Sequence, residues 1–257
     1  HNIFYYGPRS MESVAEVLNE NHSTPEAMNT LPEEKQYPML DQTENSVIFV
    51  DFPMVQAEVL MLSKGSEEFN LSEYLMAELY NNYFGFGLSS IVFQEIRESK
   101  ALAYSSYAYY SAPTKADKPH YLQAYVGTQV DKLPDAIPAM QEIIENMPVS
   151  EEQIDNARNS ILKKIETDRI TKSGVYWNYK SVQRRGFDYD LRKDMYAHMQ
   201  KVTPEELIKF QQEQVKGRNY TFLVLGSKES VDMEYLKTLG PVTELTLNQV
   251  FGVPARP

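Results

Sequence analysis

No cysteine occurs among the 257 residues. That removes thiol nucleophiles, disulfide frameworks, thiolate zinc sites and iron–sulfur clusters together. It leaves the compartment open between cytoplasm and periplasm. Long apolar runs are missing as well. None approaches the roughly 18 residues that a spanning helix requires, so no membrane-spanning segment is expected and the chain reads as soluble. Positive charge is in short supply, with 25 Lys and Arg against 36 Asp and Glu for a net charge of −11. Such a balance argues against nucleic acid as a partner, because a duplex binder displaces counterions with a basic face. Histidine is scarce, at positions 1, 22, 120 and 198. No two of these share the three- or four-residue spacing that aims two imidazoles at one metal, and neither H-E-x-x-H nor H-x-x-E-H is present. The four therefore read as surface histidines, and no metal is expected in this chain.

What is present suits a folded domain: 42% hydrophobic residues over a length that can bury a sizeable core. The chain opens His1-Asn2-Ile3-Phe4-Tyr5-Tyr6 without an initiator Met, which reads as a piece of a longer protein. Ile3–Tyr6 has strand composition, and Met11–Asn21 carries Val14, Val17 and Leu18 at one-face helical spacing. A polar, aperiodic connector follows. Ser46–Phe52 and Gln56–Ser63 read as strands around Pro53. Asn70 and Glu73 suggest a capping box for a helix whose stripe is Leu71, Leu75, Met76, Leu79, Tyr80 and Tyr83, with Gly85 as a left-handed stop.

Further on, a short helix is expected from Ser89–Ser90 to about Glu98, then strands at Ala101–Tyr110 and Tyr121–Val130. A helix over Asp131–Met147 holds Pro134 in its first turn, while Pro138 predicts a late start or a kink. Ser150 and Gln153 open a long helix to about Thr167, and helical patterns recur at 174–185 and 190–200. Thr203-Pro204-Glu205-Glu206 starts another helix, Tyr220–Leu225 is a closing strand, and Tyr235–Leu239 a small helix. Strands early and helices mostly late indicate an α+β fold, one sheet with helices on one face.

Familiar catalytic signatures are not found. Gly85-Phe86-Gly87 follows a helix rather than a strand and lacks a third glycine and a P-loop Lys, which favours a helix–turn–helix junction. Ser89 and Ser90 have no G-x-S-x-G setting and read as helix caps. Adjacent carboxylates such as Glu33/Glu34, Glu67/Glu68 and Glu151/Glu152 point to different faces and read as solvated surface. Eighteen tyrosines suit half-buried strand positions, or a groove that holds peptide by amphipathic contact.

The informative stretch is Gly85 to Ser105. Arg97 falls in the last turn of a short helix, and Tyr104 follows seven residues later in the next strand. A strand folding back along the helix would bring guanidinium and phenol to one rim. Spacing leaves an alternative open: Arg is favoured near a helix C-terminus by the dipole, and Tyr is ordinary in a strand.

This stretch resembles the later domains of the pitrilysin/insulinase family of zinc metallopeptidases, with their pattern G-G-x-x-S-S-x-L-F-x-E-I-R-E-K-x-G-L-A-Y. Gly85, Gly87, Ser89, Ser90, Phe93, Glu95, Ile96, Arg97, Glu98, Leu102, Ala103 and Tyr104 fit without a gap. Phe86 and Ala101 stand where glycine is usual, and Val92 where leucine is. The resemblance implies a mixed or antiparallel sheet with helices packed on one face, as in pitrilysin-like and mitochondrial-processing-peptidase-like domains. It implies residues 1–22 as the terminal strand and helix of a preceding domain, 23–44 as a connector, and 45–257 as the C-terminal domain. Zinc would belong to the full-length enzyme and be held by an N-terminal catalytic half, in the same polypeptide or a separate subunit. The substrate would be a peptide. Arg97 would hydrogen-bond a peptide carbonyl, and Tyr104 would support a carbonyl or the developing oxyanion. This chain alone would be inactive. The alternative is a non-catalytic interaction or scaffold subunit that keeps the fold.

Overall fold

The computed structural model describes residues 3–23, 25–27, 29–35, 37 and 39–252. His1 and four positions of the expected connector lie outside them. Six strands carry the alternation expected of a half-buried sheet: β1 Ser46–Asp51, β2 Gln56–Lys64, β3 Ser105–Ser111, β4 Tyr121–Gln129, β5 Thr221–Gly226 and β6 Val242–Leu245. They form one mixed sheet in the order β3-β4-β2-β5-β1-β6. β1 runs parallel to β5 and β6, and the other pairings are antiparallel. In register, Val59 lies between Val126 and Val224.

Side chains at alternate positions, including Val47, Phe49, Ala57, Val59, Met61, Ala108, Tyr110, Leu122, Ala124, Val126, Phe222 and Val224, are buried. Against them pack α2 (Leu71–Tyr80), α3 (Leu133–Glu145), α4 (Glu151–Thr167), α6 (Arg192–Met199), α7 (Pro204–Phe210) and α8 (Met233–Leu239). Leu75, Leu79 and Tyr80 of α2 and Ile137, Met140 and Ile144 of α3 fill the space between helices and strands. Each such aliphatic burial contributes about 1.5–3 kcal/mol before conformational entropy is subtracted. The other face of the sheet is only half covered. Ile48, Leu60, Leu225 and Leu245 form a shallow trough there, with Val250 of α9 (Leu247–Phe251) along it.

Several expectations change. Residues 3–6 form no strand; Phe4 instead stacks on Tyr176 of α5 (Lys172–Arg184), ring centroids 4.4 Å apart. Helix α1 (Met11–Asn21) forms as expected but buries none of its residues. Residues 101–104 stay outside the strand, which begins at Ser105. α3 starts at Leu133 despite Pro138, whose ring lies on the solvent side, where water can take the freed carbonyl. β6 and α9, too short to carry a clear period, close the described chain.

Two of the four histidines are not surface residues. His120 is fully buried, and His198 is half-buried with Nε2 3.0 Å from the Met76 Sδ. The capping box of α2 is half-made. Asn70 Oδ1 accepts the Glu73 N–H at 3.0 Å, but the Glu73 carboxylate turns away to accept from Ser66 Oγ at 2.5 Å and Tyr110 Oη at 2.9 Å. Asn70's own N–H goes to His120 Nε2 at 3.1 Å.

Candidate functional site

The candidate site is assembled by the chain between α2 and β3. α2 does not stop at its last regular turn but widens into a π-turn, Asn81–Gly85. Asn81 then serves as a substitute strand partner. Its carboxamide accepts the Tyr110 N–H at 2.8 Å and donates to the Tyr110 carbonyl at 3.1 Å. Gly85 does not take the left-handed conformation that sequence reasoning assigned to it. Its requirement is proximity, since a Cβ there would lie 1.9 Å from the Ala108 carbonyl oxygen. The reversal falls on Gly87, at φ +100°.

Ser90 is buried and accepts the Phe93 N–H through Oγ at 3.3 Å, in keeping with its reading as a cap. The next helix, Phe93–Ser99, is a π-helix rather than the α-helix expected, a form often found at functional sites. Ile96 is buried on its inner side, and Arg97 and Glu98 are exposed. Ala101 takes a left-handed φ of 47°. Four contacts fix the chain on its way out. Leu102 N–H donates to the Ile96 carbonyl (3.0 Å), Lys132 Nζ to the Ala101 carbonyl (3.0 Å), Thr128 Oγ1 to the Leu102 carbonyl (2.5 Å) and Tyr104 N–H to the Gly127 carbonyl (3.0 Å).

Arg97 and Tyr104 meet. The guanidinium carbon lies 5.4 Å from the centroid of the Tyr104 ring and 4.9 Å from that of Phe93, so the cation sits among two aromatic rings. A cation–π contact of this exposed kind contributes about 0.5–1 kcal/mol. Arg97 Nε is also 3.6 Å from the exposed Glu98 carboxylate, a pair that holds little energy in solvent. Tyr104 is 74% exposed, and the Arg97 side chain 41%. Both are therefore presented to solvent on an ordered rim. Thr128 and Lys132 escaped sequence reasoning, and Phe93 figured in it only as a position of the motif. The four-residue spacing of Phe93 and Arg97 was a usable signal, whereas the other two act across strand pairings that spacing does not reveal.

Beside the rim is a groove of about 680 Å³ between residues 82–94 and α4. Ser89 and Gln94 line it; Arg97 and Tyr104 do not. Among the described residues, no three His, Asp or Glu side chains converge in a way that could hold a metal ion. His120 Nδ1 meets only the Glu73 carboxylate, at 3.9 Å. Nor is any described helix long and apolar enough to cross a membrane.

Solved structures share this fold at low sequence identity. A peptidase M16 inactive domain from Pseudomonas fluorescens is 14% identical, with a TM-score of 0.61 over 74% of this chain and 45% of its own. A protease from Helicobacter pylori is 14% identical, with a TM-score of 0.62 over 85% and 53%. A chain of complex III2 from Candida albicans is 13% identical, with a TM-score of 0.58 over 91% and 57%. The present chain spans about half the length of these structures. No curated protein matches it. The sequence matches the family described as the peptidase M16 inactive domain over residues 3–161, more than half its length, and the chain belongs to that family.

Proposed function

We propose that this chain is the substrate-holding half of a zinc-dependent metalloendopeptidase, with metal and attacking water in a separate catalytic half. The observation that carries the reading is the exposed Arg97–Tyr104 pair, a guanidinium held against a phenol ring on an ordered rim. Five fixed N–H donors suit Arg97 to a peptide carbonyl, and the Tyr104 hydroxyl can donate to a second one or to a developing oxyanion. Residues 1–22 are the tail of a preceding domain in this reading. The absence of any buried residue in α1 supports that, because an amphipathic helix ordinarily covers its apolar stripe. The net charge of −11 favours cationic peptides at close range, with screening beyond about 8 Å at physiological salt.

The test combines this chain with its catalytic half and a quenched peptide. Zinc-dependent cleavage is expected. Arg97→Ala should lower kcat/KM by roughly 10- to 100-fold, the worth of a charged hydrogen bond to substrate. Tyr104→Phe should lower it by a similar factor if the hydroxyl stabilises the oxyanion. Unchanged kinetics in both variants would remove the assignment. The family's description as an inactive domain favours a second reading, a non-catalytic assembly subunit. A correctly folded mixture without zinc-dependent cleavage would select that reading.

A further inference from the structure

The groove beside the rim has a chemistry of its own. Carboxamides of Asn82, Gln94, Gln153 and Asn156 line it, together with the Ser89 and Ser160 hydroxyls. Asn82 Nδ2 donates to the Glu78 carbonyl at 2.9 Å, and Gln94 Nε2 to the Leu88 carbonyl at 2.6 Å. Each amide oxygen is left as an acceptor. The side-chain amides of Gln153 and Asn156 make no hydrogen bond among the described residues and keep both donor and acceptor. Apolar surface is limited to Tyr83, Ala157 and the half-exposed Phe86 ring. Glu152 is the one charged residue in the lining, and no cation stands beside it there.

We propose that this groove binds a polar, non-acidic segment of an extended peptide. The inference rests on the peptidase reading and gives it a specificity. A carboxamide both donates and accepts, as a peptide group does, so rows of Asn and Gln can pair with backbone as well as with Ser, Thr, Asn or Gln side chains. Gln153, Asn156 and Ser160 recur at helical spacing along one face of α4 and span about 10 Å. That length matches about three residues of extended chain. Acidic side chains are disfavoured, because Glu152 repels them and no lining cation receives them. Gln94 stands three residues before Arg97 on the same π-helix, so one short element carries both a lining residue of the groove and the guanidinium of the rim.

The experiment titrates the full, isotope-labelled chain with an extended Ser/Gln peptide and with its Asp/Glu counterpart, following backbone amide signals. The neutral peptide should shift residues 86–89 and 150–160 and bind at least about fivefold tighter than the acidic one. The double variant Gln153→Leu with Asn156→Leu, both at exposed positions on α4, should weaken the neutral peptide by a similar factor while α4 remains helical. Equal binding of both peptides, unchanged binding in the double variant, or no groove shifts with either peptide would overturn the inference. Shifts confined to 97–104 would also overturn it while leaving the peptidase reading intact. Groove shifts without any at Arg97 or Tyr104 would sustain the groove and count against that reading.

Discussion

Ala101 sits at φ 47°, where an L-residue crowds its Cβ against the following carbonyl at a cost of roughly 1 kcal/mol. The conformation is held by what surrounds it. Lys132 takes the Ala101 carbonyl, and Leu102 is tied to both Ile96 and Thr128. The family pattern has glycine at this position, and the backbone explains why. Ala101→Gly should therefore raise stability slightly, by up to about 0.5 kcal/mol, relieved strain outweighing the added freedom of the unfolded chain. A higher urea midpoint with an unchanged slope would bear this out; a lower midpoint would mean that the strain is already relaxed. Gly85 teaches the complementary lesson. From sequence it reads as a helix stop, yet its constraint is the Ala108 carbonyl, a contact that only the tertiary fold creates.

At the scale of elements, the N-terminus of α2 is capped by an imidazole. His120 Nε2 accepts the Asn70 N–H, so the ring is neutral with its proton on Nδ1. Burial pushes its pKa below the ordinary value, the Glu73 carboxylate opposes that shift, and the Arg185 charge adds to it. A depressed folded-state pKa means that the unfolded chain takes up the proton first. The stabilisation is therefore present above the unfolded value near 6.5 and is lost as pH falls from there through the folded value. His198, also depressed by burial, acts in the same direction. His120→Gln keeps an acceptor without a titration, so the drop in unfolding midpoint between about pH 7 and pH 5 should be smaller in the variant. Parallel pH profiles would contradict this role.

The elements show what the sequence made legible. β1, β2, β4, β5, α2, α4 and α7 were readable because alternation, helical period and caps are local. The π-helix at Phe93–Ser99 was not, since one shifted hydrogen-bond register leaves no mark on an apolar pattern. The Arg97–Tyr104 meeting was suggested by spacing and by the motif. The groove was not, because α4 comes some sixty residues after its other wall.

For the molecule as a whole, strand order lay beyond local patterns. β1 and β5 pair in parallel, Ser46 opposite Thr221, across most of the chain. α1 lies outside this economy of contacts. None of its residues is buried, and among the described residues its segment meets the rest through contacts that include Phe4 on Tyr176 and Lys172 over Tyr6. Removing residues 1–22 should thus shift the thermal midpoint of the rest of the chain by less than about 3 °C. A larger fall in calorimetry would show that the segment is integral to the core.

The outer border of β3 carries one more consequence. Hydrogen-bonding groups along a sheet margin can recruit a strand from a neighbouring copy and seed fibrils. Asn81 saturates both groups of Tyr110, and Gly85 crowds the Ala108 oxygen. A single carboxamide thereby closes the Tyr110 end of that margin within its own chain, so a neighbouring copy finds no free backbone group at that position.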